Sequence, residues 1–303
     1  MMPSMHAIVT AARTEGIEVR ENVPMRTMTT FKIGGNARAV LFPHSEEQAV
    51  QAVTACYRAG LRPLVLGNGS NMLFPDAGYS GVILHLEGGE FETLSVEGET
   101  VHCGAGVPLS RLCMFALENC LTGLEFAYGI PGSAGGAAFM NAGAYGGEMK
   151  DVIVSCRHIT PEGTVGELSG DALAFGYRDS AYKRNGCMIT AVTLQLKRGD
   201  RAAIKAKMED LIGRRRAKQP VEYPSAGSVF KRPPNHFAGT LIEQCGLKGC
   251  RVGGAQVSEK HAGFIINTGG ATCDDVKALI RLVQDTVREQ TGVSLEPEVM
   301  MIE

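Results

Sequence analysis

Three short polar clusters hold the side chains that could do chemistry in this sequence. The first spans residues 175–180, where Arg178 stands among glycine and aromatic residues. A planar guanidinium held in place can donate paired hydrogen bonds to a carboxylate or an enolate. The same residues are also typical of a surface arginine paired with the adjacent Asp179, and both interpretations stay open on this evidence.

The second cluster, residues 225–233, sets Ser228 and Lys231 among small residues, which suits close approach of a ligand. An ordinary turn after Pro224 is the simpler alternative. The chain has no GxSxG segment, which argues against a serine hydrolase. In the third cluster Glu296 and Glu298 flank a proline, a pattern that is usually a solvated edge strand.

Residues 129–149 are rich in glycine, which provides 7 of the 21 positions. Glycine lets a backbone adopt positive φ angles and approach a ligand closely, and exposed N–H groups bind phosphates and flat heterocycles. A flexible linker is the alternative, but Ile130, Phe139, Met140 and Tyr145 need burial. The stretch therefore predicts a cofactor cradle.

A second loop, residues 67–71, follows a predicted buried strand at 63–66. It is neither a P-loop nor a GxGxxG motif, and alone it could be a plain turn. Together with the longer glycine-rich loop it predicts one half of a two-sided cradle.

The remaining pattern places these segments on a scaffold of mixed helices and strands. We predict helices over residues 1–20, 46–59, from 108 onward, 204–218 and 272–290, and strands at 39–43, 63–66, 82–86, 93–96, 101–103, 152–154 and 189–196. Residues 29–35 form a β-prone run broken by paired glycines. The composition changes near residue 200, where we place a domain boundary.

Composition limits the class of protein. The 303 residues are 44% hydrophobic and 20% charged with a net charge of −2, which is typical of a soluble protein with two or three domains and no nucleic-acid or membrane partner. Seven dispersed histidines predict no metal site. Nine cysteines without a CxxC pair, and no signal-peptide pattern, predict a cytoplasmic protein with reduced thiols. The residues alone thus indicate a two-domain cofactor- or nucleotide-binding protein.

Six motifs in order resemble the UDP-N-acetylenolpyruvoylglucosamine reductase family over nearly the whole chain from residue 20. They are TFKIGG (30–35), LGNGSN (66–71), the glycine-rich residues 129–149, GYRDS (176–180), AGSVFK (226–231) and LEPE (295–298). The resemblance implies an α+β fold. An N-terminal segment (1–26) precedes a two-lobed FAD-binding domain of the PCMH/vanillyl-alcohol-oxidase type (27–198, lobes 27–86 and 87–198). A smaller α+β substrate-binding domain (199–303) follows.

The resemblance also implies a reaction. NADPH reduces non-covalent FAD, and UDP-N-acetylglucosamine enolpyruvate, a small-molecule substrate, is reduced to the peptidoglycan precursor UDP-N-acetylmuramate. Arg178 and Glu298 align with the residues that stabilise the anion, and Ser228 aligns with the proton donor. Tyr145, Lys231 and Gln244 align with the substrate pocket. The implied cofactor-binding residues are Gly67, Asn68, Gly69, Ser70, Asn71, Gly132, Ser133, Gly135, Gly136, Asn141, Gly143 and Ala144.

The sequence departs from the family pattern at two positions and in one segment. Arg232 stands where many members have Asn, and Met300 where Arg is common. The chain is short between Tyr182 and Gly199, so it resembles the shorter subtype, which lacks the inserted loop whose tyrosine covers the substrate.

Two other functions compete with the reductase. A PCMH-type oxidase that tethers flavin covalently needs a His or Cys near the cradle, and residues 129–149 contain neither. A nucleotide-sugar-binding protein without catalysis does not need Arg178, Ser228 and Glu298 together. The basic run 214–218 suggests a 2′-phosphate site or, more simply, a solvated helix end.

Overall fold

The computed structural model describes residues 5–303, so the first four residues of the predicted leading helix lie outside the described part. The described chain forms two compact units. Unit one comprises the described residues up to Glu21, Arg38–Asn68 and Ser80–Gly213. Unit two comprises Asn22–Ala37, Gly69–Tyr79 and Arg214–Glu303.

All five predicted helices are present, but the leading one ends at Thr14 rather than near residue 20, because a strand begins at Glu18. The structure adds three helices that the sequence pattern did not predict: α4, α5 and α7. The helix bounds are α1 Met5–Thr14, α2 Glu46–Arg58, α3 Leu109–Glu118, α4 Ala134–Phe139, α5 Tyr182–Asn185, α6 Arg201–Lys218, α7 Ala238–Gln244 and α8 Cys273–Thr291. Short 3-10 helices cover Met25–Thr27, Gly89–Glu92, Glu125–Ala127, Met149–Asp151 and Gly170–Leu173.

The strands are short, and most pair antiparallel. They are β1 Glu18–Pro24, β2 Asn36–Phe42, β3 Leu64–Leu66, β4 Met72–Leu73, β5 Tyr79–His85, β6 Leu94–Glu97, β7 Thr100–Gly104, β8 Leu121–Thr122, β9 Gly143–Ala144, β10 Gly147–Glu148, β11 Ile153–Ile159, β12 Val165–Ser169, β13 Met188–Gln195, β14 Lys197–Arg198, β15 Ser225–Ser228, β16 Arg251–Val252, β17 Ala255–Val257, β18 Phe264–Asn267 and β19 Met300–Met301. This mixture of helices and strands confirms the α+β class.

Unit one is built around two sheets and one continuous apolar core. Most of the first sheet, ordered β1-β2-β5-β3, lies in this unit, and the second is antiparallel with the order β12-β11-β13-β7-β6. Helix α4, which is part of the glycine-rich segment, packs on strands β13 and β7 of the second sheet. The core includes Leu112, Val192 and the fully buried Tyr182.

Unit two has an antiparallel sheet, ordered β15-β18-β17-β16, against which α8 packs. The predicted apolar face of α8 is buried through Val276, Leu279, Ile280, Val283 and Val287. The segment at Gly69–Tyr79 belongs here because Asp76 Oδ1 accepts the N–H of Cys273 at 2.9 Å, at the start of α8.

Two local expectations were wrong for identifiable reasons. The β-prone run 29–35 forms no strand, since Lys32 and Gly34 have φ angles of 55° and 122°. Strand β3 is not fully buried, because it is the last strand of its sheet and Val65 is 38% exposed.

The two units also put Asn22–Ala37 and Gly69–Tyr79 with the C-terminal part, which a single boundary near residue 200 does not anticipate.

Helix α8 supports a test of the capping interactions. Thr272 Oγ1 accepts the N–H of Asp275 at 3.1 Å, and Asp275 Oδ2 accepts the N–H of Thr272 at 3.0 Å. Thr272→Ala should lower the free energy of unfolding by about 1 kcal/mol, measured by urea denaturation. Thr286→Ala, at a half-buried mid-helix position of α8 where the hydroxyl donates only to the Leu282 carbonyl, is the matched control and should change stability less. Equal effects of the two substitutions would contradict the capping role.

Candidate functional site

The two glycine-containing loops come together in unit one. Asn68 Nδ2 donates to the carbonyl of Pro131 at 2.8 Å. A Cβ atom added to Gly67 would lie 2.4 Å from Ser133 Oγ, a distance that no real Cβ contact adopts. While the Ser133 hydroxyl keeps this position, the close approach of the first loop to the second leaves no room for a side chain at position 67.

Part of the glycine-rich stretch is helical, which the sequence did not predict. Ser133 is the N-cap of the six-residue helix α4, and its hydroxyl accepts the N–H of Gly136 at 3.3 Å. A Cβ atom on Gly135 would lie 2.7 Å from the Cβ of Ala105. The N–H of Gly135 donates to the Ala105 carbonyl at 2.9 Å. Gly135 thus serves helix packing.

Several backbone donors in these loops point to a ligand with acceptor oxygens. Within the described residues, the N–H groups of Asn68 and Ser133 in unit one have no hydrogen-bond acceptor. The same holds for the N–H groups of Gly69 and Ser70 in unit two. The two N–H groups of unit one fit the diphosphate of a dinucleotide such as FAD.

Arg178 is held against the glycine-rich stretch in unit one. Its Nη2 donates to the Gly143 carbonyl at 3.1 Å, and its guanidinium lies over the Tyr177 ring at 5.2 Å. Asp179 pairs with Arg184, whose hydrogen bond holds the pKa of the Asp179 carboxyl below its ordinary value. The ion-pair partner that the structure gives Asp179 is thus Arg184.

Asn141 is fully buried and its side chain is engaged within the protein. Nδ2 donates to Glu148 Oε2 at 3.0 Å and to the Gly176 carbonyl at 2.8 Å, and Oδ1 accepts the N–H of Lys150 at 2.9 Å. The amide thus ties the hairpin of β9 and β10 to the turn that carries Arg178. Asn141 was predicted to bind the cofactor, and in the structure its side chain holds these neighbouring segments together.

The hairpin of β9 and β10 presents Tyr145. Gly143 pairs with Glu148 and Ala144 with Gly147, which leaves Tyr145 at the tip with a φ of 52° and 43% exposure. A non-glycine residue in this left-handed conformation is uncommon and often marks a functional site.

In unit two the structure brings Ser228 and Glu298 to either side of Val229. The N–H of Glu298 donates to the Val229 carbonyl at 2.7 Å, and the N–H of Lys231 donates to Glu296 at 2.9 Å. Asn71 Nδ2 donates to the carbonyl of Glu298 at 3.1 Å. The side chain of Asn71, which was predicted to bind the cofactor, therefore also anchors a predicted catalytic residue.

His261 lies beside Ser228 and was missed in the sequence, where histidines were considered only as metal ligands. A Cβ atom on Gly263 would lie 3.3 Å from Ser228 Oγ and 3.0 Å from His261 Cε1. Burial lowers the pKa of His261, so the ring is neutral at neutral pH. Its Nδ1 accepts the N–H of Gly263 at 3.1 Å, which places the ring proton on Nε2.

The predicted substrate-binding residues of unit two are only partly brought together. Lys231 Nζ forms an ion pair with Glu296. Gln244 is the exposed last residue of α7, and no hydrogen bond in the described part of unit two joins it to Ser228, Lys231 or Glu298. At the two departures, the Arg232 guanidinium lies 4.6 Å from the Phe237 ring centre, and the N–H of Met300 donates to Asn71 at 2.9 Å.

Neither a metal cluster nor a membrane span is found in residues 5–303. They contain no group of three or more His, Cys, Asp or Glu side chains that could hold a metal ion. None of the helices described is long and apolar enough to cross a bilayer.

Comparison with known proteins defines first the class and then the family. Residues 37–169 match the model of an FAD binding domain, so the chain is an FAD-binding protein. Residues 219–302 match the C-terminal domain of UDP-N-acetylenolpyruvoylglucosamine reductase. The chain belongs to the UDP-N-acetylenolpyruvoylglucosamine reductase family, as its relatives show. The family is therefore the reductase and not a PCMH-type oxidase.

Two curated relatives and one solved structure support this assignment. The reductase of Limosilactobacillus fermentum is 47% identical over 94% of this chain and 95% of its own length. That of Streptococcus pneumoniae (strain Hungary19A-6) is 44% identical over 95% of each chain. The crystal structure of the reductase MurB from Thermus caldophilus superimposes with a TM-score of 0.82 at 35% identity, covering 95% of this chain and 99% of that one.

The contact at Gly67 gives a test of cofactor binding. Gly67→Ala should weaken FAD retention by about 1–3 kcal/mol, since the added methyl group overpacks against Ser133. The flavin-to-protein absorbance ratio and the binding isotherm of FAD measure this. Gly213→Ala is the control, because a Cβ atom there meets nothing within 4 Å.

A double variant separates the steric cause from other effects. Without Ser133 Oγ, the nearest atom to the new methyl group is Ser133 Cβ at 3.6 Å, an ordinary contact. Gly67→Ala combined with Ser133→Ala should therefore retain as much FAD as Ser133→Ala alone. A further loss in the double variant would contradict the steric explanation.

Proposed function

We propose that this chain catalyses the NADPH-dependent reduction of UDP-N-acetylglucosamine enolpyruvate to UDP-N-acetylmuramate, with Arg178, Ser228 and Glu298 as catalytic residues. The observation that carries this assignment is the family membership, at 47% identity over 94% of the chain. The paired positions of Ser228 and Glu298 around Val229 support their assignment to one reaction. We further propose that residues 27–198 bind FAD and residues 199–303 bind the substrate.

The residues of the two loops fit the cofactor. Gly67, Asn68 and Ser133 of unit one combine a close backbone approach with open N–H donors. These groups would hold the diphosphate of FAD. Bound FAD, once reduced by NADPH, supplies the hydride for the enolpyruvyl double bond.

Arg178 stabilises the negative charge that develops on the substrate. Reduction at the terminal carbon of the double bond leaves charge on the carbon that bears the carboxylate, as an enolate. A guanidinium that is already held by Gly143 and Tyr177 meets this charge with little reorganisation. Glu298 would repel the enolate as a carboxylate, so we expect it to act as a neutral acid or through a hydrogen bond.

Ser228 delivers the proton that completes the product. A serine hydroxyl is a weak acid, but an enolate is a strong base, and the position of the donor then matters more than its acidity. The hydroxyl is held by a 3.3 Å hydrogen bond to the Phe230 carbonyl, which limits its freedom before transfer. Its place in β15 puts it on a rigid element rather than a mobile loop.

The remaining contacts and the location follow from the same assignment. Lys231, Tyr145 and Gln244 would bind the nucleotide-sugar portion, Lys231 by exchanging its ion pair with Glu296 for a phosphate. We propose a small-molecule substrate with no metal, nucleic-acid or membrane partner. The free state of all nine cysteines supports a reducing compartment, the cytoplasm.

Ser228→Ala separates the two half-reactions. Reduction of the flavin by NADPH should stay unchanged, while reoxidation by UDP-N-acetylglucosamine enolpyruvate should slow by about 10²–10⁴-fold. Anaerobic stopped-flow absorbance at the flavin band measures both rates. Ser225→Ala, in the same strand, is the control. An equal slowing of flavin reduction would show that Ser228 is not acting as the acid.

The same experiment on the wild-type protein tests the substrate. Wild-type protein whose flavin is reduced by NADPH but never reoxidised by UDP-N-acetylglucosamine enolpyruvate would refute the substrate assignment.

Glu298→Gln tests the neutral-donor role of Glu298. Gln keeps a hydrogen-bond donor of similar size, so it should retain much of the reoxidation rate, whereas Glu298→Ala should lose about 10²–10³-fold. The same stopped-flow measurement compares the two variants. A loss in Glu298→Gln as large as in Glu298→Ala would contradict a purely neutral donor.

A further inference from the structure

Arg178 lies at the tip of a two-residue turn in unit one. The N–H of Gly176 donates to the Asp179 carbonyl at 3.0 Å, and the N–H of Asp179 donates to the Gly176 carbonyl at 3.3 Å. Tyr177 and Arg178 therefore lie between the two hydrogen-bonded residues. Arg178 has a φ of 55°, in the left-handed region that residues with a Cβ atom rarely adopt. Because such a backbone persists only where its surroundings hold it, the contacts of this turn decide where the guanidinium lies.

Ser180 attaches the end of this turn to helix α4. Its hydroxyl donates to the carbonyl of Phe139 at 2.7 Å, and Ser180 is fully buried. Phe139 is the last residue of α4, and the last carbonyl groups of a helix have no donor within the helix itself. The Ser180 hydroxyl supplies a donor to one of them. It thereby joins the turn to a helix that packs on β13 and β7.

Asn141 attaches the beginning of the turn to the same stretch of chain. Its Nδ2 donates to the Gly176 carbonyl at 2.8 Å. Ser180 and Asn141 thus hold the backbone on both sides of Arg178, and Arg178 Nη2 adds a contact with the Gly143 carbonyl. Asn141 also carries hydrogen bonds of the hairpin of β9 and β10, so a change there would disturb two segments. Ser180 is therefore the better probe of the turn.

We propose that Ser180 is a positioning residue that fixes this turn so that the Arg178 guanidinium meets the charge developing on the substrate. Because Ser180 is fully buried, it acts through the turn and does not touch the substrate. Loss of its hydroxyl leaves the Phe139 carbonyl without this donor and frees the end of the turn. This inference rests on the proposed role of Arg178 in the reduction of UDP-N-acetylglucosamine enolpyruvate.

The test follows both half-reactions of FAD-loaded Ser180→Ala by anaerobic stopped-flow absorbance. Reoxidation of the reduced flavin by saturating UDP-N-acetylglucosamine enolpyruvate should slow by about 10–10²-fold, since a small displacement of a group that acts on the transition state is costly. Flavin reduction by NADPH should keep the wild-type rate. The Kd for the substrate, measured by calorimetry on the oxidised enzyme, should change by less than about twofold, because the turn acts on charge that develops only during the reaction.

Tyr182→Phe is the matched control. Like Ser180→Ala, it removes the hydroxyl of a fully buried side chain, and this hydroxyl donates to the Cys156 carbonyl in β11 at 3.0 Å. Tyr182 lies two residues after Ser180, at the start of α5. Tyr182→Phe should lower the melting temperature and leave reoxidation at the wild-type rate. Slow reoxidation in Tyr182→Phe as well would overturn the inference, because the defect would then follow from any lost buried hydrogen bond.

Arg178→Ala shows whether Ser180 acts through Arg178. With the guanidinium absent, adding Ser180→Ala should slow reoxidation no further, so the two substitutions should not be additive. Three other results would overturn the inference. They are a further slowing in the double variant as large as that in Ser180→Ala alone, an unchanged reoxidation rate in Ser180→Ala, and an equal slowing of its flavin reduction.

The same variants distinguish failure of this inference from failure of the proposed function. If Arg178→Ala is reoxidised at the wild-type rate, the catalytic role of Arg178 falls, and the role of Ser180 falls with it. If Arg178→Ala is slow while Ser180→Ala matches the wild type, only the role of Ser180 falls.

Discussion

The contact between Gly67 and Ser133 is the constraint on which the cofactor half of this protein depends. A Cβ atom on Gly67 would lie 2.4 Å from the hydroxyl oxygen of Ser133, and the hydrogen bond from Asn68 to Pro131 holds the two loops together. While the Ser133 hydroxyl keeps this position, the loops can approach so closely because position 67 has no side chain. The second sheet of unit one supports the other loop through α4, so the open N–H donors are presented by a rigid scaffold.

Charge in unit one is organised by the same glycine-rich stretch. Gly143 holds the Arg178 guanidinium through its carbonyl, and the absence of a Cβ atom leaves room for Glu148. Asn141 then links the hairpin to the arginine turn through three hydrogen bonds. One segment thus contains the proposed cofactor-binding backbone and also holds Arg178, the cation proposed to act in the reaction. These contacts explain why the glycine-rich stretch also contains polar side chains such as Asn141 and Glu148.

Unit two arranges its reactive groups mainly through backbone hydrogen bonds. The residues around Val229 pair with the chain near Glu298, so Ser228 and Glu298 are placed by main-chain geometry and need no direct side-chain contact. Asn71 reinforces this by holding the Glu298 carbonyl. Ser228 is part of β15, so the sheet of unit two fixes the position of the proposed proton donor.

The sequence by itself determined the α+β class, the five long helices, the two loops and the six motifs that indicate the family, because hydrophobic periodicity and glycine content are local properties. It could not determine the partner of Asp179, the engaged side chain of Asn141, or the closeness of His261 to Ser228. Nor could it show that Asn22–Ala37 and Gly69–Tyr79 belong with the C-terminal residues. Most of these features are contacts between residues that are far apart in the chain. The pairing of Asp179 depends instead on which of two nearby arginines it contacts. Only tertiary structure decides them, because packing and hydrogen-bond geometry, rather than residue type, set which groups meet.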